Sequence, residues 1–318
     1  MSDSKTSPNT STAKNLFGYE KNPSNILPKK YTLDSKIKFR CYPGISCFTA
    51  CCGNIKIILT PFDILRIRRE INLSAQEFLL RFTRPVHLEK TDLPGVELNL
   101  DEDGRCPFVT PEGCTIYSVR PTTCRYYPVG MANFHEGKKE NQTAEEFYFL
   151  VKEPHCKGHE EEKEWTIREW RKDQGVDISD EMNKDWMEII MRRKSFGLQA
   201  TMSEEGKKIF FMVSTDLDRF RDLIFNSSFL DTYEVDQATL DQIKKDDKAL
   251  LKFSYRFLNS TLFGAQDLKI KEEKIKAKSE EIKIHQSTAE KRAEETYKEL
   301  KAERDKMIQE QNKSKEKK

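Results

Sequence analysis

The chain has 318 residues, enough for two ordinary domains or for one domain with long extensions. Hydrophobic residues make up 36% and charged residues 34%, with a mean hydropathy of -0.75, which excludes a uniformly packed globule and predicts polar tails around a folded middle. The 55 basic and 53 acidic residues leave a net charge of +2, so nucleic acid is not indicated as a partner, and no apolar run approaches the roughly 18 residues that cross a bilayer, so no membrane partner is expected.

Residues 1–35 are rich in Ser, Thr, Asn, Pro and Lys and are expected to be a mostly disordered polar N-terminus, because too little apolar surface is available to offset the entropy of ordering. The opening Met1-Ser2-Asp3-Ser4-Lys5 leads into no hydrophobic signal core, and neither a Gly after Met1 nor a Cys near the C-terminus marks a simple lipid anchor. The expected location is cytoplasmic.

Residues 36–158 contain every cysteine. Ile55-Lys56-Ile57-Ile58-Leu59 is short and β-branched between Gly53 and Pro61, and reads as a strand. Thr60-Pro61 has the form of an N-cap with proline in the first turn, predicting a helix through Ile64, Leu65 and Ile67. Ser74-Ala75-Gln76-Glu77 fits a capping box, with Phe78, Leu79 and Phe82 at helical spacing behind it. Val86 to Leu100 reads as a hairpin turning at Leu93-Pro94-Gly95. Asp101 to Gly130 is Gly- and Pro-punctuated with no evident apolar core, so cross-links through its cysteines are expected to hold it. Phe147 to Val151 reads as a closing strand.

Residues 159–264 turn helical. Trp165, Ile167 and Trp170 begin the pattern, Met182, Trp186, Ile189 and Ile190 continue it, and rows of apolar residues follow around Phe210 to Ile224 and Leu240 to Leu258. Such rows predict a helical layer packed on the cysteine region rather than a cofactor groove. Residues 265–318 are dominated by Lys and Glu. Leu268, Ile275, Ile282 and Ala289 recur every seven residues, as do Ala293, Leu300 and Met307, but their companion positions are mostly charged. A solvated helix supported by Glu–Lys pairs is the plainer expectation, a protein partner bound through the tail or the helical region the other. Asn312 to Lys318 should fray. The fold class is therefore α+β: a small loop-rich cysteine-cluster domain with a few strands, then a helical region, then a charged helix.

The cysteines fall into Cys41, Cys47, Cys51 and Cys52, then Cys106, Cys114 and Cys124, then Cys156 alone. Metal ligation, a disulfide framework and inert buried thiols are the three readings. The absence of a secretion signal counts against disulfides, and the count and clustering favour metal. Thiols a few residues apart in irregular loops can wrap an ion at zinc–sulfur distances of about 2.3 Å. An all-thiolate set suits zinc or an iron–sulfur cluster, and the spacings match neither paired C-x2-C knuckles nor the ferredoxin run. Adjacent Cys51 and Cys52 would point apart if extended, so each serving a different metal, or one staying free, is easier than both serving one. Arg105, Arg120 and Arg125 stand beside cysteines and are either N–H donors to sulfur or ordinary surface guanidinium groups. His155 and His159 flank Cys156 as possible substitutes for a thiolate, while His87, His135 and His285 read as surface or turn residues.

The order Cys-x5-Cys-x3-Cys-Cys, then Gly-Arg-Cys-Pro-Phe, then Cys-x-Ile-Tyr-x2-Arg-Pro-x2-Cys-Arg-x-Tyr-Pro resembles the YkgJ-type cysteine-cluster family from Cys41 to about Gly158. The resemblance implies zinc or iron chelation by Cys41, Cys47, Cys51, Cys52, Cys106, Cys114, Cys124 and Cys156. A related core in the flagellin lysine methylase family implies an alternative, an iron–sulfur enzyme using S-adenosylmethionine, and a redox protein whose cluster moves electrons is the other enzyme reading. No Gly-rich strand-to-helix turn stands in the chain to hold that cofactor, and no P-loop, His-Glu-x-x-His run or internal repeat is present.

Overall fold

The computed structural model describes residues 26, 29–134, 145–197 and 201–315. The disorder expected for residues 1–25, the reading of His135 and the fraying of residues 316–318 fall outside the described residues. Within the described part of the N-terminal stretch the expectation is corrected. Ile26 bridges Val151, and Tyr31 is buried with its amide and carbonyl paired to Tyr148.

The elements run as follows. Strand β1 (Lys36–Lys38) is followed by the Cys41–Cys52 loop, then α1 (Pro61–Glu70), α2 (Ala75–Phe82), β2 (Thr83–Leu88) and β3 (Leu93–Leu98). The short pair β4 (Val109–Thr110) and β5 (Gly113–Cys114) precedes α3 (Thr122–Tyr126), β6 (Val129–Phe134), β7 (Glu145–Leu150) and β8 (Glu164–Thr166). Helices α4 (Ile167–Gln174), α5 (Val176–Ser195), α6 (Glu204–Thr215), α7 (Leu217–Asn226) and α8 (Phe229–Thr232) lead to β9 (Tyr233–Glu234). The chain closes with α9 (Gln237–Lys245), α10 (Asp247–Phe263), β10 (Lys269–Ile270) and α11 (Glu272–Lys315). Each sheet among the described residues is a pair of antiparallel strands, and the fold is α+β.

Both capping boxes form. Thr60 accepts from the Asp63 amide while Asp63 accepts from the Thr60 amide, and Ser74 and Glu77 do the same, which satisfies two otherwise orphaned donors at each start. A further box at Thr166 and Glu169 opens α4. Gly175, at φ 64°, ends α4 in the left-handed region that favours glycine.

Three expectations about strands change. Ile55–Leu59 is not a regular strand. It is an extended segment with one bridge, Ile58 to Glu97, and bonds from the Leu59 amide to Val96 and from the Leu98 amide to Ile57. The hairpin turns at Glu89–Asp92 rather than at Leu93-Pro94-Gly95, which lies inside β3. Thr91 closes that turn on the Leu88 carbonyl and Asp92 takes φ 52°, while Pro94 stands in a two-stranded ribbon, where a missing ladder donor is tolerated. Trp165 belongs to β8, paired with Ile37 of β1, and the helix starts only at Ile167.

The cysteine region has an interior of its own, contrary to the expectation that cross-links alone hold Asp101–Gly130. Phe108 and Ile116 from that segment are buried with Ile57, Ile67, Phe78 and Leu98. Each such burial stabilises by about 1.5–3 kcal/mol. A second cluster gathers Tyr31, Phe39, Tyr148, Ile167 and Trp170, where β1, β7 and α4 meet. The third and largest is the helical layer of α5 to α10, which also takes in Phe62 and Leu65 of α1 and Leu93 of β3. The helices thus pack directly onto the cysteine region through α1. By contrast α11 leaves every described side chain from Glu272 to Arg304 exposed.

Candidate metal centre

All eight cysteines are free thiols, so the disulfide framework does not form. None is fully buried and Cys41 is exposed, while Cys106, Cys114, Cys124 and Cys156 are half-buried against apolar clusters.

Backbone pairing draws four separated stretches together. The Arg40 amide bonds to the Gly158 carbonyl at 3.1 Å, and the Lys157 amide donates to Cys47 Sγ at 3.2 Å, which places Cys41 and Cys47 against the Cys156 loop. A side chain at Gly158 would stand 2.7 Å from Phe39 and 3.0 Å from the Arg40 carbonyl, so only glycine permits this approach. On the other side the Cys106 amide bonds to the Cys52 carbonyl at 2.8 Å, and Gly53 bridges Arg105. Gly104, at φ 74°, allows the Asn54 side chain to lie against its backbone. Val109 of β4 pairs with Cys114 of β5 and its amide bonds to the Cys106 carbonyl, while Cys124 comes from α3.

Cys51 and Cys52 do not point apart as an extended chain would have them. They sit in a short 3-10 turn, Ala50–Cys52, entered by Thr49 at φ 66°. The Cys52 thiol donates to Cys51, which brings Cys51 down to about 7, and the same bond together with burial pushes Cys52 strongly up. Burial, then the charges of Cys51, Cys47 and Cys156, pushes Cys41 up to about 11. Burial raises Cys106, Cys114, Cys124 and Cys156 as well, and each is raised further by neighbouring cysteines. Several thiolates cannot coexist here unless a cation offsets them, which is what a bound metal does.

The donor set fits such a cation. Beyond the Lys157 amide on Cys47, the nearby amides of Phe108, Ile116 and Gly158, each two residues on, partly offset the rise in the Cys106, Cys114 and Cys156 thiols. N–H donors aimed at sulfur favour the thiolate form that a metal binds. The Tyr127 hydroxyl is buried, completes no hydrogen bond among the described residues and stands beside the Cys156 thiol, ready to donate to it. No three His, Cys, Asp or Glu side chains among the described residues close on one point as they stand. Drawing the grouped thiols together is left to the ion, as in domains where metal binding and folding are coupled.

The flanking arginines and histidines divide between buried braces and exposed side chains. Arg120 and Arg125 are buried, but their donors go to oxygen. Arg120 bonds the Tyr117 carbonyl and Gln174, and Arg125 bonds the carbonyls of Arg120, Ser118 and Gln174. They brace the Tyr117–Arg125 loop against α4, and burial brings Arg125 down to about 10. Arg120 adds a favourable charge near Cys114, whereas Arg105 is an ordinary exposed side chain. His159 turns away from the thiols, bonding the Val151 carbonyl at 3.0 Å and packing edge-on against Phe39. His155 and His87 are exposed and lie near Glu153 and Asp92, and the side chain of His285 is outside the described residues.

Asp63 is the residue that the motifs did not single out. It is 1% exposed and accepts from the Thr122 amide at 2.9 Å and the Thr122 hydroxyl at 2.7 Å, besides capping α1. One carboxylate thereby ties the start of α1 to the start of α3, which carries Cys124. Its only sequence signal was its place as third residue after the Thr60 cap. Asn183 of α5 donates to the same Thr122 hydroxyl at 3.2 Å, joining the helical layer to this junction.

No curated protein and no solved structure matches the sequence. Residues 40–182 match the CxxCxxCC family model, described as "Putative zinc- or iron-chelating domain". The segment starts one residue before Cys41, holds all eight cysteines and runs into α5. The match is consistent with the YkgJ-type resemblance of the cysteine order.

Proposed function

We propose that the chain is a cytoplasmic metal-binding protein whose eight cysteines, Cys41, Cys47, Cys51, Cys52, Cys106, Cys114, Cys124 and Cys156, chelate zinc or an iron–sulfur centre. The observation that supports this best is the gathering of eight free thiols from four stretches by backbone pairing, with the Lys157 amide donating to Cys47 Sγ. When bound, the metal supplies positive charge that holds the thiols ionised and clamps the loops. The residues around it orient the sulfurs: Lys157 by its amide, Tyr127 by its hydroxyl, and Asp63 through Thr122. In this reading the helical layer or α11 meets a protein partner, with the exposed Ile275, Ile284, Tyr297 and Leu300 of α11 as its apolar points.

Anaerobic purification with elemental analysis tests the reading. A brown protein whose visible absorption bleaches with dithionite identifies iron–sulfur, and a colourless protein with stoichiometric zinc identifies zinc. Cys124→Ser is expected to lose metal and lower the melting temperature. Freshly isolated chain that is folded yet free of both metals overturns the reading. The enzyme alternative rests on resemblance alone, and calorimetric titration with S-adenosylmethionine decides it.

A further inference from the structure

We infer that the eight cysteines form two separate metal centres, one held by Cys41, Cys47, Cys51 and Cys156 and the other by Cys52, Cys106, Cys114 and Cys124. This rests on the chelation reading above and adds to it the number of centres and the ligands of each.

The backbone divides the thiols. Cys41 and Cys47 are tied to the Cys156 loop by the Arg40–Gly158 and Lys157–Cys47 bonds. Cys52 is tied instead to Cys106 by its carbonyl, and Cys106 to β4, whose partner strand ends in Cys114. The packing agrees. Cys106, Cys114 and Cys124 lie against the apolar cluster of Ile57, Phe108 and Ile116, whereas Cys156 lies against the separate cluster of Phe39, Tyr127 and Trp165. Cys106, Cys114 and Cys124 therefore rest on a different core from Cys156, and the Ala50–Cys52 turn carries one cysteine of each group.

Cys51 and Cys52 share the Ala50–Cys52 turn, whose Ala50 amide bonds the Cys47 carbonyl at 3.0 Å, and the tie of Cys52 to Cys106 commits Cys52 to the second group and leaves Cys51 to the first. Four thiolates complete a tetrahedral zinc site or one iron–sulfur cluster, so eight divide without remainder. Two vicinal cysteines at the junction let one short turn serve both centres.

Two paired substitutions in the full chain test this, Cys41→Ser with Cys156→Ser and Cys106→Ser with Cys114→Ser. Metal per chain is measured by plasma emission spectrometry and helical content by circular dichroism. Each pair is expected to retain half of the wild-type metal. Either pair emptying the chain while helical content stays at the wild-type level overturns the partition. Should a pair fail to fold, the wild-type chain itself is treated with a limiting amount of chelator and then N-ethylmaleimide, and the labelled cysteines are mapped by mass spectrometry. The first species released should carry labels on the four members of one group. Labels mixed across the groups, or all eight released together, overturn the partition but leave chelation standing. Wild-type chain without metal removes chelation and the partition with it.

Discussion

At Gly158 the absence of one methyl group decides whether Cys156 reaches its neighbours. The carbonyl of Gly158 accepts from the Arg40 amide at 3.1 Å, which fixes the residue in place. An added Cβ would press on the Phe39 ring and on the backbone oxygen of Arg40, and the backbone contact cannot be relieved by a rotamer change. Gly158→Ala is therefore expected to destabilise by about 1–3 kcal/mol, the usual range for overpacking, and to weaken metal retention. Thermal melting and metal analysis on the same sample check it, and an unchanged melting curve would mean that the Arg40–Gly158 approach is looser than drawn. Asp63 carries a comparable burden through hydrogen bonds. Both its oxygens face donors, the Thr60 amide on one side and the Thr122 amide and hydroxyl on the other. Asp63→Asn must set an NH2 against one of those N–H groups. A loss of about 1–3 kcal/mol is expected in urea unfolding, as for a buried hydrogen-bonded group deprived of its partner. A variant as stable as the wild type would show that the carboxylate does not hold α3.

At the scale of elements, the features legible in the sequence are those written in four consecutive residues. Thr60-Pro61-Phe62-Asp63 and Ser74-Ala75-Gln76-Glu77 specify helix starts because cap and partner are three residues apart. The elements misread are those whose partner is distant. Trp165 belongs to a strand only because Lys36–Lys38, more than a hundred residues earlier, pairs with it. Ile55–Leu59 has strand composition but touches β3 through a single bridge. Leu93-Pro94-Gly95 carries turn residues, yet the turn falls at Glu89–Asp92, where a side-chain bond from Thr91 and the left-handed Asp92 close it. For the site, the eight cysteines were legible as a set from count and order. Their neighbours were not. The Lys157 amide on Cys47 and the Asp63 tie depend on contacts between stretches far apart in the chain, and Arg120 and Arg125, adjacent to cysteines in sequence, turn to carbonyls. The tail is the opposite case, a purely local element. Helix α11 has 44 residues and spans about 66 Å, with exposed side chains along its described length and a Glu272–Lys276 pair at 4.0 Å. A chain ending at Lys271 keeps the bond from its amide to Thr232 and the buried Leu268. It is expected to melt within about 2 °C of the full chain and to bind the same metal, since less than about 0.5 kcal/mol is at stake in exposed positions. A larger drop by calorimetry would reveal a contact of α11 that supports the rest of the fold.

For the whole molecule, the question is what fastens the cysteine domain to the helices behind it. Apolar packing of Phe62 and Leu65 does part of this, and a seam of ion pairs does the rest. Arg68 of α1, nearly buried, forms a two-pronged pair with Asp218 of α7 at 3.0 and 3.1 Å and lies 3.7 Å from Asp247 of α10. Arg69 reaches Asp247 at 2.6 Å through Nε, and Arg221 of α7 bonds its other oxygen. Asp218 in turn accepts from the Ala75 amide at the start of α2. Burial alone would raise the Asp247 carboxyl, but the hydrogen bonds from Arg221 and Arg69 and their charges outweigh it and hold the group below the usual carboxylate range. A depressed folded-state value means that the contribution to stability is present above the unfolded value of about 3.9 and is lost as pH falls through the folded one. The junction should therefore weaken on acidification below about pH 4. Asp247→Asn removes this contribution at every pH and takes from Arg221 its hydrogen-bonded carboxylate, while Arg68 keeps its two-pronged pair with Asp218. A destabilisation of about 2–4 kcal/mol at pH 7 is expected, shrinking as the pH approaches 3, where the wild type has lost the same charge. Urea unfolding at pH 7, 5 and 3 on both proteins measures it. Curves that stay parallel at all three values would show that Asp247 does not titrate in this window and that packing alone joins the two parts.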